Sequence, residues 1–489
     1  MDTAREQSVT GPEEFFAAYP GYESTVALDR LRSTEYAYLD DDGVVYLDYA
    51  GAGLAATAQL RAHRDRLTER CFGNPHSENP TSKAATEVVE QARRAVLAHL
   101  NADPEEYCAI FTANASAACR LVGEAYPFAR GSRFVVSSDN HNSVIGIREF
   151  ARARGAQVAH LPIDTPELRI TDSAVHAALP PHLGVGRPDR ARRGLLAYPA
   201  QSNFTGVQHP LEWVRVAHEN GYDVLLDAAA YLPTNELDLR IVQPDFIPIS
   251  WYKLFGYPTG VGCLVARRDA LARLRRPWFA GGTIAAVSLQ GDWHVMTDDE
   301  TAFEDGTPNF LSIPDVTFGI GWLRDIGLEV VHRRVACLTG WLLDRLQSLT
   351  HDNGAPMVRI YGPPDATRRG GTVAFNFLDP DGVVVDERLV ATESAAVGIS
   401  LRTGCFCNPG AGEGAFGIEL PVLRRLFRKR LATVEEYVSA LGLPSGGAIR
   451  VSFGLVSNIA DVETFLRFAE SAYRNRPATV EGLQPRERC

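Results

Sequence analysis

Short apolar runs alternate with helical patterns between residues 107 and 266, and this alternation restricts the possible fold more than any other feature. Cys108–Thr112 reads as a strand, Ala113–Ser116 as a turn and Ala117–Ala125 as a helix. Arg133–Ser137 is the next strand, followed by a helix through Glu149 and Arg154. Gly194–Tyr198 and Asp223–Asp227 read as strands on either side of a helical stretch from Leu211 to Asn220. Phe246–Ser250 and Val261–Ala266 complete the series. Runs this continuously apolar are buried on both faces. They predict an α/β fold with a mostly parallel sheet covered by helices.

The pattern changes near residue 318. Phe318–Leu349 has helical periodicity, in two pieces with a linking turn. Met357–Tyr361 and Thr372–Phe377 read as strands, and Gly371–Phe377 approaches strict alternation. Leu420–Leu441 reads as helical, Ala448–Gly454 as a strand and Ile459–Tyr473 as a last helix. Upstream, Pro12–Pro20 starts a short helix, Val44–Asp48 is a short strand and Ala84–Leu100 is helical. These readings divide the chain into an N-terminal arm (1–45), a large domain (46–318), a smaller α/β domain (319–474) and a polar tail (475–489). At 489 residues, more than one domain is the expectation.

A net charge of -11 with no long basic run argues against a nucleic-acid partner. No apolar stretch is long enough to span a bilayer, and the polar start Met1–Gln7 predicts no secretory signal. Eight cysteines in a chain of this length predict a reducing, cytoplasmic setting rather than a disulfide framework. Cys71, Cys108, Cys119, Cys263 and Cys337 read as core or partly buried thiols, and Cys489 as exposed. Cys405 and Cys407 form a C-x-C pair with no second pair at zinc spacing, so no metal site is expected.

The chemistry centres on Lys253, in Ser250–Gly260, and on Asp227 at the end of an apolar run. Pyridoxal phosphate chemistry needs a lysine for the Schiff base and an acid to keep the pyridine nitrogen protonated. Ser250 is placed to reach a phosphate, and Gly256 and Gly260 allow a close turn beneath the lysine. Ser116, in Asn114-Ala115-Ser116, is either a phosphate contact at a helix start or an ordinary N-cap. His141, just after a strand, is a candidate to stack on the ring and relay protons. Asn203 is a candidate donor to the phenolic oxygen or the centre of an Asx turn. In Leu401–Gly410, Cys405 and Cys407 compete as nucleophile beside Arg402. Arg450, on a late strand, can grip a carboxylate with a bidentate fork, and Arg402 is a second candidate.

Four segments together carry a family resemblance: Tyr46–Ala52, Phe72–Ser77, Tyr252–Gly260 and Arg402–Asn408. Over residues 44–475 the chain resembles the class V aminotransferase family, with the aminotransferase-like architecture of fold type I. Within it the chain resembles the cysteine desulfurase branch, most of all the N-terminal desulfurase domain of molybdenum cofactor sulfurases. The resemblance implies pyridoxal 5'-phosphate bound through Lys253, with Asp227 at the ring nitrogen and His141 stacked on the ring. It implies Asn203 at the phenolic oxygen, Ser116 and Ser250 at the phosphate, and Thr307 reaching the phosphate of a neighbouring subunit in a homodimer. It places the catalytic thiol at Cys407 and the substrate carboxylate on Arg450. Two positions depart from the pattern: Tyr252 stands where many simpler desulfurases have histidine, and Ala230 replaces a glutamine that often follows Asp227-Ala228-Ala229.

The reaction this implies is conversion of L-cysteine to L-alanine, with a persulfide on Cys407 and sulfur passed to an acceptor protein, a thiol or a metallocofactor precursor. Fused sulfurases of this branch carry a further C-terminal domain. Only a short polar segment follows the last helix here, so sulfuration of molybdenum cofactor would need a separate partner. A C–S lyase on cysteine or a cysteine conjugate, a racemase and an aminotransferase use the same lysine but not the Cys407 loop. A non-catalytic scaffold would need none of these groups.

Overall fold

The computed structural model describes residues 12–75, 77–181, 193–427, 433–443, 445–480 and 483. A short strand, β1 (Val45–Tyr46), comes first. Seven strands then build the central sheet: β2 (Tyr107–Thr112), β3 (Arg133–Ser137), β4 (Gln157–Leu161), β5 (Gly194–Pro199), β6 (Tyr222–Asp227), β7 (Phe246–Ser250) and β8 (Gly262–Arg267). Their order is β2-β8-β7-β6-β5-β3-β4. Within it β4, β3, β5, β6 and β7 pair in parallel, while β8 runs against both β2 and β7. Two reversals across β8 leave β2 running with the rest. The C-terminal ends of β2, β3, β5, β6 and β7 therefore share one edge, where an open α/β sheet binds its ligand.

Every residue of β5 and β7 is buried, because helices cover both faces of the sheet. This explains why their sequences run continuously apolar. The edge strand β4 carries Gln157 and His160 and is largely accessible, so its sequence lacks that signal. A hairpin of β9 (Ile284–Ser288) and β10 (Trp293–Met296) projects beyond the sheet.

The smaller region holds β11 (Val358–Tyr361), β12 (Thr372–Phe377), β13 (Ile399–Ser400), β14 (Arg402–Gly404) and β15 (Ala448–Ser452). Four of them form an antiparallel sheet, β11-β12-β15-β14. Gly371–Phe377 approaches strict alternation, and all of β12 is buried. It is an inner strand: Phe375 and Phe377 face the main core, and Ala374 faces a second cluster with Phe204 and Tyr361. β1 pairs in parallel with β13, and Asp48 bridges to Ser452, so the segment after the arm is stitched to the small sheet. The helices Pro314–Ile326 and Leu328–Ser348 break at Gly327, whose φ is 88°.

The arm folds into the helices Pro12–Ala18, Ala27–Glu35 and Tyr38–Asp41. Its aromatics meet Trp341, and Arg334 pairs with Asp29 at 2.5 Å. Arg32 pairs with the buried Asp461 at 2.6 Å. Removing one partner of such a buried pair costs about 3–5 kcal/mol. Cys108, Cys119, Cys263 and Cys337 are buried as expected. Cys71 is exposed, because it lies in the loop between the helices Thr57–Glu69 and Pro80–His99. Cys489 and most of the polar tail lie outside the described residues. Among the described residues no helix is long and apolar enough to cross a membrane.

Candidate active site

Loops at the shared strand edge enclose a cavity of about 230 Å³. β7 ends at Ser250 and the chain turns straight into the short helix Trp251–Phe255, which carries Lys253 into this cavity. The turn depends on Gly256. Its φ is 77°, and a Cβ there would stand 2.1 Å from the carbonyl carbon of Leu54. Asp227 ends β6 and lines the same cavity, its Oδ1 accepting the Ala229 N–H at 3.0 Å. Burial pulls the Lys253 amine below its ordinary value; Asp227 opposes that shift and Arg450 adds to it.

Ser116, His141, Asn203 and Ser250 line the cavity as well. Asn114, rather than Ser116, caps the helix Ala115–Ala125 by accepting the Ala117 N–H. The Ser116 hydroxyl instead meets that of Ser143 at 2.6 Å, and Ser250 Oγ accepts the Ala115 N–H at 2.9 Å. Hydroxyls and the positive end of an eleven-residue helix thus converge on one corner, a natural phosphate seat. Thr307 lies in an adjoining cavity of about 350 Å³ that shares Ala113 and Gly260 with this corner, and its hydroxyl accepts a hydrogen bond from Asn74 Nδ2 at 3.2 Å.

His141 caps the short helix Asn142–Ile145, its Nδ1 accepting the Ser143 N–H at 3.1 Å. That bond leaves the proton of the neutral ring on Nε2. Burial lowers the ring's pKa; nearby Asp227 raises it, and Lys253 and Arg450 lower it further. A neutral, flat ring, a strand-end carboxylate, a depressed lysine and a phosphate seat in one cavity fit pyridoxal phosphate.

The thiol loop, between β14 and the helix Pro409–Ala415, is hydrogen-bonded to segments beside this cavity. Cys407 is a free, exposed thiol, whereas Cys405 is disulfide-bonded. The Cys407 carbonyl accepts the Asn142 N–H at 2.7 Å, next to His141, and the Phe406 carbonyl accepts from Asn203 Nδ2 at 2.8 Å. An amide nitrogen has two hydrogens, so Asn203 keeps one for a ligand. Arg450 is 3% exposed and donates to the Asn203 carbonyl at 3.0 Å, with its guanidinium 4.7 Å from the centre of the Phe406 ring. Neither arginine lines the cavity itself: Arg450 is tied to its wall through Asn203 and also binds Asp48, while the half-exposed Arg402 binds Asp48 through Nε and Nη2.

Several residues at the site escaped the sequence reading. Asp139, 1% exposed, accepts from Ser202 and from Asn408, and Asn408 also donates to Asn203. Gln201 borders the cavity and donates to the Ala230 carbonyl at 2.8 Å, beside the position where the expected glutamine is missing. Asp48 was visible only as part of a motif. A charged residue directly after the apolar Tyr46-Leu47 was the available signal.

An open α/β sheet with a lysine, a strand-end carboxylate and a phosphate seat at one edge matches the pyridoxal-phosphate enzymes of fold type I. The sequence pattern of the aminotransferase class-V family matches residues 45–465, and the chain belongs to that family. It is 37% identical over 463 residues to the molybdenum cofactor sulfurase of Homo sapiens, covering 90% of this chain and 51% of that protein. It is 35% identical over 497 residues to the molybdenum cofactor sulfurase of Solanum lycopersicum, covering 96% and 60%. The chain thus spans between half and three-fifths of these curated relatives. Among solved structures, a cysteine desulfurase from Thermococcus onnurineus superposes with a TM-score of 0.73 at 25% identity, covering 91% of this chain and 97% of that one.

Proposed function

We propose that this enzyme is a cysteine desulfurase: L-cysteine and the Cys407 thiol give L-alanine and a Cys407 persulfide. The observation that carries the reading is the free thiol of Cys407 on a loop fastened to the His141 and Asn203 segments that line the Lys253 cavity. A lyase, racemase or aminotransferase would not need it.

Lys253, Asp227, His141, Asn203, Ser116 and Ser250 would hold the pyridoxal phosphate, with Thr307 supplied by the other subunit of a homodimer. When bound, the cofactor provides the electron sink that stabilises a carbanion at the substrate α-carbon. Asp227 holds the proton on the pyridine nitrogen. Lys253, its amine depressed by burial, takes the α-proton and returns a proton to the alanine product. Arg450 holds the substrate carboxylate, and Arg402 strengthens the positive field behind it. Cys407 Sγ attacks the substrate sulfur; the S–S bond forms as the C–S bond breaks, and His141 Nε2 serves the accompanying proton movement.

The persulfide then passes to an acceptor: a protein thiol, a small thiol or a metallocofactor precursor. Cys407 is free to serve as the carrier, and the cytoplasm is the setting that the low cysteine content suggests. The test is to incubate the cofactor-loaded enzyme with L-cysteine and measure alanine, sulfide and protein-bound persulfide. Equimolar alanine and persulfide in the first turnover are expected. Pyruvate and ammonia would replace this reading with a C–S lyase.

A further inference from the structure

Two arginines face each other across the small sheet. Arg402 on β14 and Arg450 on β15 are direct cross-strand partners. Like charges in that position repel and destabilise the strand pair. Between them stands the carboxylate of Asp48, contributed by the segment that follows β1. Its Oδ1 accepts from Arg450 Nη2 at 2.8 Å, and its Oδ2 accepts from Arg402 Nη2 at 2.6 Å and Nε at 2.9 Å. Asp48 and Arg450 are buried, so their half of the bridge is held where water screens it poorly, whereas the Arg402 side chain is half-exposed.

The bridge fixes Arg450 on one of its sides. Nη1 donates to the Asn203 carbonyl at 3.0 Å, and the guanidinium lies over Phe406. The Arg450 Nε–H is buried and has no partner among the described residues. A buried N–H of this kind calls for an acceptor. Asn203 lines the Lys253 cavity, so the Nη1 bond to its carbonyl places the guanidinium beside that cavity.

We infer that Asp48 is a positioning residue: by bridging Arg402 and Arg450 it aims the Arg450 guanidinium at the α-carboxylate of the amino-acid substrate. The inference rests on the reading of Arg450 as the carboxylate anchor. Without Asp48 the two guanidiniums repel across the strand pair. Without that carboxylate the buried Arg450 loses the bond that holds its Nη2 and is free to shift, while the half-exposed Arg402 can turn to water. That displacement outweighs the extra positive field gained by removing an anion, because a bidentate grip tolerates little misalignment.

A second feature of the site allows a separate test. A Cβ on Gly51 would lie 2.5 Å from Asp48 Oδ2 and 2.7 Å from Arg402 Nη2. Gly51→Ala therefore disturbs the bridge without changing any charge. The experiment titrates the cofactor-loaded wild type, Asp48→Asn and Gly51→Ala with glycine and with glycinamide, following cofactor absorbance. Both ligands have the amine, but only glycine has the carboxylate, and neither carries sulfur.

Wild type is expected to bind glycine more tightly than glycinamide. Both variants are expected to lose roughly tenfold or more in glycine affinity, the scale of one charge-assisted hydrogen bond, while binding glycinamide as before. Unchanged glycine affinity in both variants overturns the inference. So does an equal loss for both ligands, which marks a general structural role, or tighter glycine binding in Asp48→Asn, which marks Asp48 as a competing anion. If Asp48→Asn fails to fold, Gly51→Ala decides alone. A wild type that discriminates the two ligands but yields no alanine from cysteine would remove the proposed reaction and leave this inference standing. A wild type that does not discriminate them would remove the role given to Arg450.

Discussion

Lys253 and Asp227 were legible in the sequence because each sits directly after an apolar strand run, and strand ends are where such sheets bind ligands. Lys253→Ala is expected to remove the Schiff-base absorption of the purified enzyme and to slow turnover by about 10²–10⁴-fold, the range of a lost general acid–base group. Retained absorption would mean that another amine carries the cofactor. The choice between the two thiols was less legible, since Arg402 neighbours both. Here the structure separates a free Cys407 from a disulfide-bonded Cys405. Cys407→Ser is expected to bind cofactor and glycine normally yet form no persulfide and release no alanine, while Cys405→Ser keeps most of its activity. The opposite pattern, read by persulfide labelling, moves the nucleophile to Cys405. The protonation of His141 could not be read from sequence at all, because it depends on burial. Burial lowers its pKa below the ordinary 6.5, so the unfolded chain takes up a proton first as pH falls. This contribution to stability is full above pH 6.5 and is lost as pH falls from there toward the folded-state value. His99 and His160 are shifted the same way by burial, so thermal melts of His141→Gln should show a shallower acid loss than wild type, not its abolition.

At the scale of elements, sequence and structure agree where a segment is buried on both faces. The strand readings Arg133–Ser137, Phe246–Ser250 and Thr372–Phe377 match β3, β7 and β12 to the residue. The sequence was silent on β4 and on the β9–β10 hairpin, whose accessible faces carry mixed side chains. It also could not show the backbone of the thiol loop. Phe406 and Cys407 both have φ of 54°, left-handed values that cost non-glycine residues about 1–3 kcal/mol each. Asn408 offsets that cost. Its side chain caps the helix Pro409–Ala415 and donates to Asp139 at 2.7 Å and to Asn203 at 3.0 Å. The loop is therefore anchored at its base, with the Cys407 thiol exposed. Asn408→Ala is expected to leave cofactor absorption unchanged and to slow persulfide formation by roughly tenfold, on the scale of one buried hydrogen-bond network. Rapid-quench persulfide labelling measures this directly, and an unchanged rate would show that the loop holds its shape without Asn408.

For the whole molecule, the sequence suggests a partner copy only through Thr307, and the exposed side of the β9–β10 hairpin is where a partner would be tested for. Trp278, Phe279, Val287, Leu289, Trp293 and Val295 are all exposed on or beside the hairpin, Leu289 at 95%. Clustered apolar side chains on a surface mark an interface. Phe303 lines both the cavity that meets the hairpin at His294 and Met296 and the cavity that holds Thr307. We expect sedimentation to find a dimer and Leu289→Asp to weaken it. Sharing of the site calls for a stricter test. Lys253→Ala removes the lysine from its own site, and Thr307→Asp sets a negative charge against the phosphate of its partner's site. Each homodimer should be nearly inactive. In a mixed dimer both lesions fall on one site, leaving the other with a native lysine and a native threonine. With random exchange half of the dimers are mixed and half of their sites intact, so mixing equal amounts should restore about one quarter of wild-type activity. If Thr307 instead serves the site of its own chain, every site in every dimer carries a lesion, and mixing restores nothing.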